Sequence, residues 1–179
     1  AEARLRAHLR SMGLSEEQLD KAKSRCGHRF NADVDGKVKQ IWKWFLKLGL
    51  DDEQIQKLVV ANPQILGRSL EDHLKQHVQW FSGIGLDKPH VAKLIVAHPC
   101  VFNYSLESNL KLKMSLFREL GFSDSEIARM ISAMPKLWSY SLKRMIHRTS
   151  ALEAKGRLTE KSCCWAMMLT DIKFAACLE

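Results

Sequence analysis

The stretch LGLDDEQIQKLVVANPQILGRSL, Leu48 to Leu70, decides the fold because the chain repeats it. It returns as IGLDKPHVAKLIVAHPCVFNYSL, Ile84 to Leu106, and as LGFSDSEIARMISAMPKLWSYSL, Leu120 to Leu142. Each copy begins 36 residues after the last. Gly49, Gly85 and Gly121 keep that step, as do Pro63, Pro99 and Pro135 and the pairs Ser69-Leu70, Ser105-Leu106 and Ser141-Leu142. The apolar positions keep it too: Ile55/Val91/Ile127, Leu58/Leu94/Met130, Val59/Ile95/Ile131, Leu74/Leu110/Ile146 and Phe45/Phe81/Phe117. A period of this length, held at so many positions, is the signature of a solenoid in which each unit buries its apolar face only against its neighbours.

Within one period, Leu50, Ile55, Leu58 and Val59 have helical spacing. Asp51 and Ser123 stand where an N-cap belongs, and Ser123 with Glu126 forms a capping box. The proline ends this first helix, because it clashes with the preceding turn and supplies no N–H. The apolar pieces Ile65-Leu66, Val101-Phe102 and Leu137-Trp138 are too short for an ordinary helix and predict 3₁₀ turns that plug the space between layers. Ser69, Ser105 or Ser141 then caps a second helix, with Leu70, Leu74, Val78 and Phe81 on one face. The next glycine closes it by taking the left-handed conformation. The expectation is an all-α chain, a superhelical α-solenoid of right- or left-handed sense.

The run Leu48-Gly49-Leu50, Pro63-Gln64-Ile65-Leu66, Ser69-Leu70 and Leu74 resembles the repeat of the mitochondrial transcription termination factor (mTERF) family. It recurs at 84–86, 99–110 and 120–146, and the stretches 152–156 and 169–174 are similar to that family's ending. The resemblance implies α-α-3₁₀ units curved into a half-ring, an organellar location, mitochondrial or chloroplast, a nucleic-acid partner and no enzymatic activity.

One repeat domain is expected over residues 1–179, with a degenerate unit at 1–48, repeats at 49–84, 85–120 and 121–151, and a cap at 152–179. Glu2 to Met12 reads as a helix rich in alanine, leucine and arginine. Gly13-Leu14-Ser15 falls one period before Gly49-Leu50-Asp51, Leu19 matches Ile55 and Ala22 matches Leu58. Gly27 stands where the proline belongs, and 31–36 reads as a turn-rich link into a helix over 37–48. At the far end Asp171 replaces the proline. An atypical end unit is normal where one face of a solenoid meets solvent. The chain does not begin with methionine, as expected of a processed or trimmed product whose presequence is unseen.

Charge supplies the functional clue. Net charge is +8 and the isoelectric point near 9.4, which favours acidic partners. Lys21, Lys57, Lys93 and Arg129 lie 36 apart in the first helices. Lys39, Lys75, Lys111 and His147 form a second column in the second helices. Stacked units turn each column into a stripe, with steps of roughly 10 Å at the usual helix separation. A stripe of about 30 Å approaches one turn of duplex. The competing reading is that these are ordinary solvated helix positions. Two columns in a basic chain favour a nucleic-acid face, to which Arg68 is added. Arg4, Arg6 and Arg10 fit equally an arm on phosphate or a solvated face. Arg68, Tyr104 and Tyr140 share one repeat position before the second cap, suited to sugar or base contact or to packing over the helix start, the default. Trp44 and Trp80 are in register and candidates for stacking, though core packing is the default for tryptophans here.

Catalytic and metal chemistry find no support. The five cysteines, Cys26, Cys100, Cys163, Cys164 and Cys177, are odd in number, lack C-x-x-C spacing and read as reduced, packed side chains. His73 and His77 are four apart but lack further ligands. Asp51, Asp52 and Glu53 suit a helix N-terminus. No cofactor, small-molecule substrate or membrane partner is expected, and no apolar run approaches a transmembrane span. The leading expectation is docking on duplex DNA or structured RNA in organellar gene expression. The alternatives are a ribosomal-RNA-binding component or assembly factor of an organellar ribosome, and a protein-binding solenoid.

Overall fold

The computed structural model describes residues 2–27 and 34–178, and among them it contains eleven α-helices and no strand. The chain divides into two compact units, residues 1–103 and 104–179. The division falls inside the period 85–120 rather than between periods.

The first unit opens with α1 (Glu2–Ser11) and α2 (Glu16–Cys26). Residues 28–33, which include the first half of the link expected over 31–36, lie outside the described residues, and the chain resumes in a π-helical turn, Val34–Val38, leading into α3 (Lys39–Leu48). Then come α4 (Asp52–Ala61), a 3₁₀ turn (Pro63–Gly67), a π-helical turn (Leu70–Lys75) running into α5 (Gln76–Gly83), α6 (Lys88–Ala97) and a 3₁₀ turn (Pro99–Asn103). The first helices stack in order, α2 on α4 and α4 on α6, while α3 and α5 pack beside them. In the second unit a π-helical turn (Leu106–Leu110) leads into α7 (Lys111–Glu119), followed by α8 (Asp124–Ala133), a 3₁₀ turn (Pro135–Ser139), α9 (Leu142–Ala154), α10 (Glu160–Met168) and α11 (Asp171–Ala176). Helix α8 packs on α10, and α9 packs on both α7 and α10.

Local chemistry explains the punctuation. Ser15, Asp51, Asp87, Ser123 and Thr159 cap α2, α4, α6, α8 and α10, each side chain accepting the N–H three residues on. At the other end of α3, the Gly49 N–H bonds Leu46 O and the Leu50 N–H bonds Phe45 O. This is a Schellman closure, and Gly49 has φ +102°, which a side chain resists. The same pair of bonds recurs at Gly13, Gly85, Gly121 and Gly156. The plug residues Ile65, Leu66, Val101, Phe102, Leu137 and Trp138 are all buried, as their 3₁₀ placement requires.

One expected column is displaced. Ile146 stands 36 residues after Leu110 and 72 after Leu74, yet it is 45% exposed, and Met145 is the buried residue. The cause is backbone geometry. Leu74 and Leu110 bond the carbonyls of Ser69 and Ser105 across a π-helical turn, five residues back. Met145 bonds Ser141 O four residues back, because α9 starts directly as an α-helix. A π turn holds one residue more than an α turn, so every later position in α9 arrives one residue early. Leu152, rather than residue 153, takes the place of Phe45, Phe81 and Phe117, and the closing glycine is Gly156.

Candidate nucleic-acid interface

Lys21, Lys57 and Lys93 stand at one register position on α2, α4 and α6, and all three are exposed. Because these helices pack in succession, the three cations rise along one side of the first unit in steps of about 10 Å. They are not equally available. Lys21 Nζ lies 2.7 Å from Glu17 Oε1, and Lys57 Nζ lies 2.7 Å from Glu53 Oε1, each acid one turn earlier on the same helix. The hydrogen bond and charge of Glu53 hold the Lys57 ammonium above its ordinary range, and those of Lys21 hold the Glu17 carboxyl below its own. In α6 the position one turn earlier is Pro89, so Lys93 makes no ion pair among the described residues. In the second unit Arg129 reaches across to α10, with Nη2 2.6 Å from Glu160 Oε1 and Nε 3.2 Å from Oε2. Exposed pairs of this kind are screened by solvent and contribute little, so a phosphate can displace them.

The second column carries the same internal counter-charge. Lys75 Nζ lies 2.5 Å from Glu71 Oε1, and Lys111 pairs with Glu107. Lys39 is exposed at the start of α3. His147 is exposed and its ring is 6.3 Å from that of Phe174. The one-residue slip in α9 takes His147 out of register with Lys75 and Lys111, and Ile146 stands there instead. Arg68 is half-buried and lines a cleft of about 260 Å³ with Lys37, Gln40 and Ser69. A cleft at the same repeat positions recurs in the second unit, about 290 Å³, with Tyr140 in place of Arg68 and Asn109, Leu112 and Ser141 in place of Lys37, Gln40 and Ser69. The rings of Tyr104 and Tyr140 each carry a cation, Lys113 Nζ at 5.4 Å and Arg144 Cζ at 5.3 Å. Trp44 and Trp80 are half-buried with centroids 4.9 and 5.0 Å from Phe45 and Phe81.

Sequence reasoning missed a third set of basic residues that point inward. His73 Nε2 lies 2.6 Å from Phe102 O. Lys113, only 3% exposed, donates Nζ to Trp138 O at 2.7 Å. Fully buried Arg148 donates Nη1 to Leu169 O at 2.8 Å and also to Ala166 O. After the slip is counted, His77, Lys113 and Arg148 occupy one structural position. Lys113 from α7, Arg148 from α9 and, in the first unit, His73 from the π turn leading into α5 satisfy carbonyls at the end of the following first helix or its plug, whereas His77 bonds His73 O within its own segment. The exposed termini of helices leave such carbonyls unpaired, so this device ties one period to the next. Its only sequence signal is basic residues in the apolar register of a second helix.

Burial pushes the Lys113 ammonium down to about 8 from 10.5. Between those values the unfolded chain binds more protons than the folded one, so stability should rise with pH across that window. The penalty is fully present below about pH 8 and relieved above it. Lys113→Met is expected to flatten the rise, measured as urea midpoints at about pH 7 and about pH 9.5.

The other candidates are occupied structurally. His73 and His77 have ring centroids 4.5 Å apart, but His73 Nε2 is bonded to Phe102 O and His77 Nδ1 to His73 O. No group of three or more histidine, cysteine or acidic ligands converges among the described residues. Asp51 caps α4, Asp52 accepts from Trp42 Nε1 at 2.8 Å, and Glu53 holds Lys57. Burial raises the Cys163 thiol to about 12 and the Cys164 thiol to about 11, so both stay protonated, and none of the five cysteines is bridged. No helix is long and apolar enough to cross a membrane among the described residues. A family model described as mTERF matches residues 7–175. No curated protein sequence matches the chain.

Proposed function

From the premise that this chain belongs to the mTERF family, whose members are organellar helical-repeat proteins that bind nucleic acid, we propose that it docks a basic flank on duplex DNA or structured RNA in mitochondrial or plastid gene expression. The observation that carries the proposal is the placement of Lys21, Lys57 and Lys93 on three helices packed in succession, all exposed. Arg129 holds the same register position in the second unit, and Lys39, Lys75, Lys111, His147 and Arg68 are assigned supporting contacts. Contacts of this type position a protein on phosphates, leaving the shape of the duplex to select the target. The reaction is binding alone, without cofactor or metal.

The glutamates one turn before Lys21, Lys57, Lys75 and Lys111 favour a second reading within the same class. A column that carries its own counter-charge binds a free polyanion less strongly than a bare one. Such a protein suits a place inside a larger ribonucleoprotein, with ribosomal RNA as its ligand.

The test is fluorescence anisotropy of labelled duplex DNA and of a structured RNA over a salt series. Lys93→Glu should weaken binding more than Lys57→Glu, because Lys57 is already part-neutralised. The double variant should lose roughly tenfold or more, and the salt slope should fall by about one unit per lost phosphate contact. Helicity by circular dichroism should not change. Binding that persists undiminished would move the interface away from the first helices.

A further inference from the structure

Between α8 and α10, within the second unit, lies a groove of about 420 Å³. Met130, Ala133 and Met134 form one wall, and Cys164, Trp165 and Met168 the other. Trp165 is 37% exposed and Met168 62%, which places them among the largest exposed apolar side chains of the described residues. Two repeat comparisons show how the groove arises. In the first unit Arg25 crosses from α2 to donate Nη1 to Val60 O on α4 at 2.7 Å. That register is alanine in the later first helices, Ala61 in α4, Ala97 in α6 and Ala133 in α8, each too short to cross. Trp165 itself stands where the preceding first helices carry Lys57, Lys93 and Arg129. The groove is therefore a site where the cation that the preceding first helices carry has given way to tryptophan, and where the end of α8 carries only the small side chain of Ala133.

We propose that this groove receives an amphipathic helix with an acidic polar face, supplied by a partner protein. Helices lie in apolar grooves between two packed helices by inserting side chains from one face. The three methionines supply the unbranched, adaptable surface that such binding uses. Helix α8 has ten residues, about 15 Å, room for two to three turns of a ligand helix. Charge selects the acidic face. At the rim Glu160 is held by Arg129, while Lys161 is exposed and makes no ion pair among the described residues. Lys136, two residues past Met134, is also exposed without an ion pair. Nucleobases suit the floor poorly, since their polar edges need partners, and the floor offers thioethers, a methyl group and an indole. The Cys164 thiol faces Met130 O at 3.9 Å.

The experiment places the photo-crosslinker p-benzoylphenylalanine at Lys161 in the full chain, expressed in the cells it comes from. The expected adduct is with a protein, through a peptide of acidic amphipathic helical sequence. Ala133→Arg, which introduces the bridging side chain that α2 alone carries at this register, should reduce that adduct about tenfold or more. Ala133 is exposed, so circular dichroism of this variant should match the parent; should it misfold, Trp165→Glu at a part-exposed site gives the same reading. A nucleic-acid adduct, an adduct with a second copy of the chain, a protein adduct indifferent to both variants, or a yield no higher than with the probe at exposed Lys155 would overturn the proposal. None of these outcomes depends on Lys57 or Lys93, so this test and the anisotropy test fail separately.

Discussion

Leu94→Asp should leave the first unit unfolded at room temperature, with loss of cooperative melting by circular dichroism. Leu94 is 1% exposed on α6, which packs on α4 and α5. Full burial of a leucine contributes about 1.5–3 kcal/mol, and that is lost. Burying a carboxylate unpaired at the same place costs several kcal/mol more. The sum is comparable to the roughly 5–15 kcal/mol that holds a domain folded. Leu58→Asp on α4, also 1% exposed, should behave alike. A solenoid leaves no distant core to absorb the damage, because each layer rests only on its neighbours. An unshifted melting curve would show that these positions do not form the interior.

The second large effect is expected at Arg148. Its side chain is fully buried, yet all its partners lie in the last two helices or between them: Ala166 O, Leu169 O at 2.8 Å, Asp171 Oδ1 at 2.5 Å and the Phe174 ring at 4.8 Å. Arg148→Ala strips the donors from carbonyls at the end of α10 and leaves a cavity behind α11. Loss of about 3–5 kcal/mol is expected, the range for breaking a buried charged network. Arg148→Lys should recover only part, since a single ammonium cannot replace the fork of a guanidinium. Hydrogen exchange gives the local readout: amides of α10 and α11 should lose protection before those of α7. Uniform protection in the alanine variant would refute the role of Arg148 as the clasp of the C-terminal helices.

The 36-residue period was legible because caps, prolines and glycines are local signals whose spacing survives without knowledge of packing. It placed the first helices, the plugs and most buried columns. The slip in α9 was hidden because the chain restores the count before Thr159, so the caps Ser123 and Thr159 remain one full period apart. Only the change from a π turn to an α turn reveals that Met145, and not Ile146, faces inward. The first charge column keeps its register in the sequence, the second loses His147 to the slip, and neither shows its neighbours there. Glu53 and Glu71 precede Lys57 and Lys75 by one helical turn, a pairing that helix geometry alone predicts. Lys113 and Arg148 look in sequence like surface charges. Their burial depends on carbonyls at the end of the following first helix or in its plug, which only the packing supplies.

The recurring caps and Schellman closures have a consequence for biosynthesis. From Asp51 to Gly156 each helix, taken with the π turn that leads into it, carries its own beginning and end, so no distant segment has to arrive before a hairpin closes. At about 5–20 residues per second a ribosome needs roughly 2–7 s to deliver one period. Helices form on a microsecond scale. Each hairpin can thus be shaped as it emerges and wait for the next to cover it, and the growing chain exposes at any moment little more than one unfinished layer.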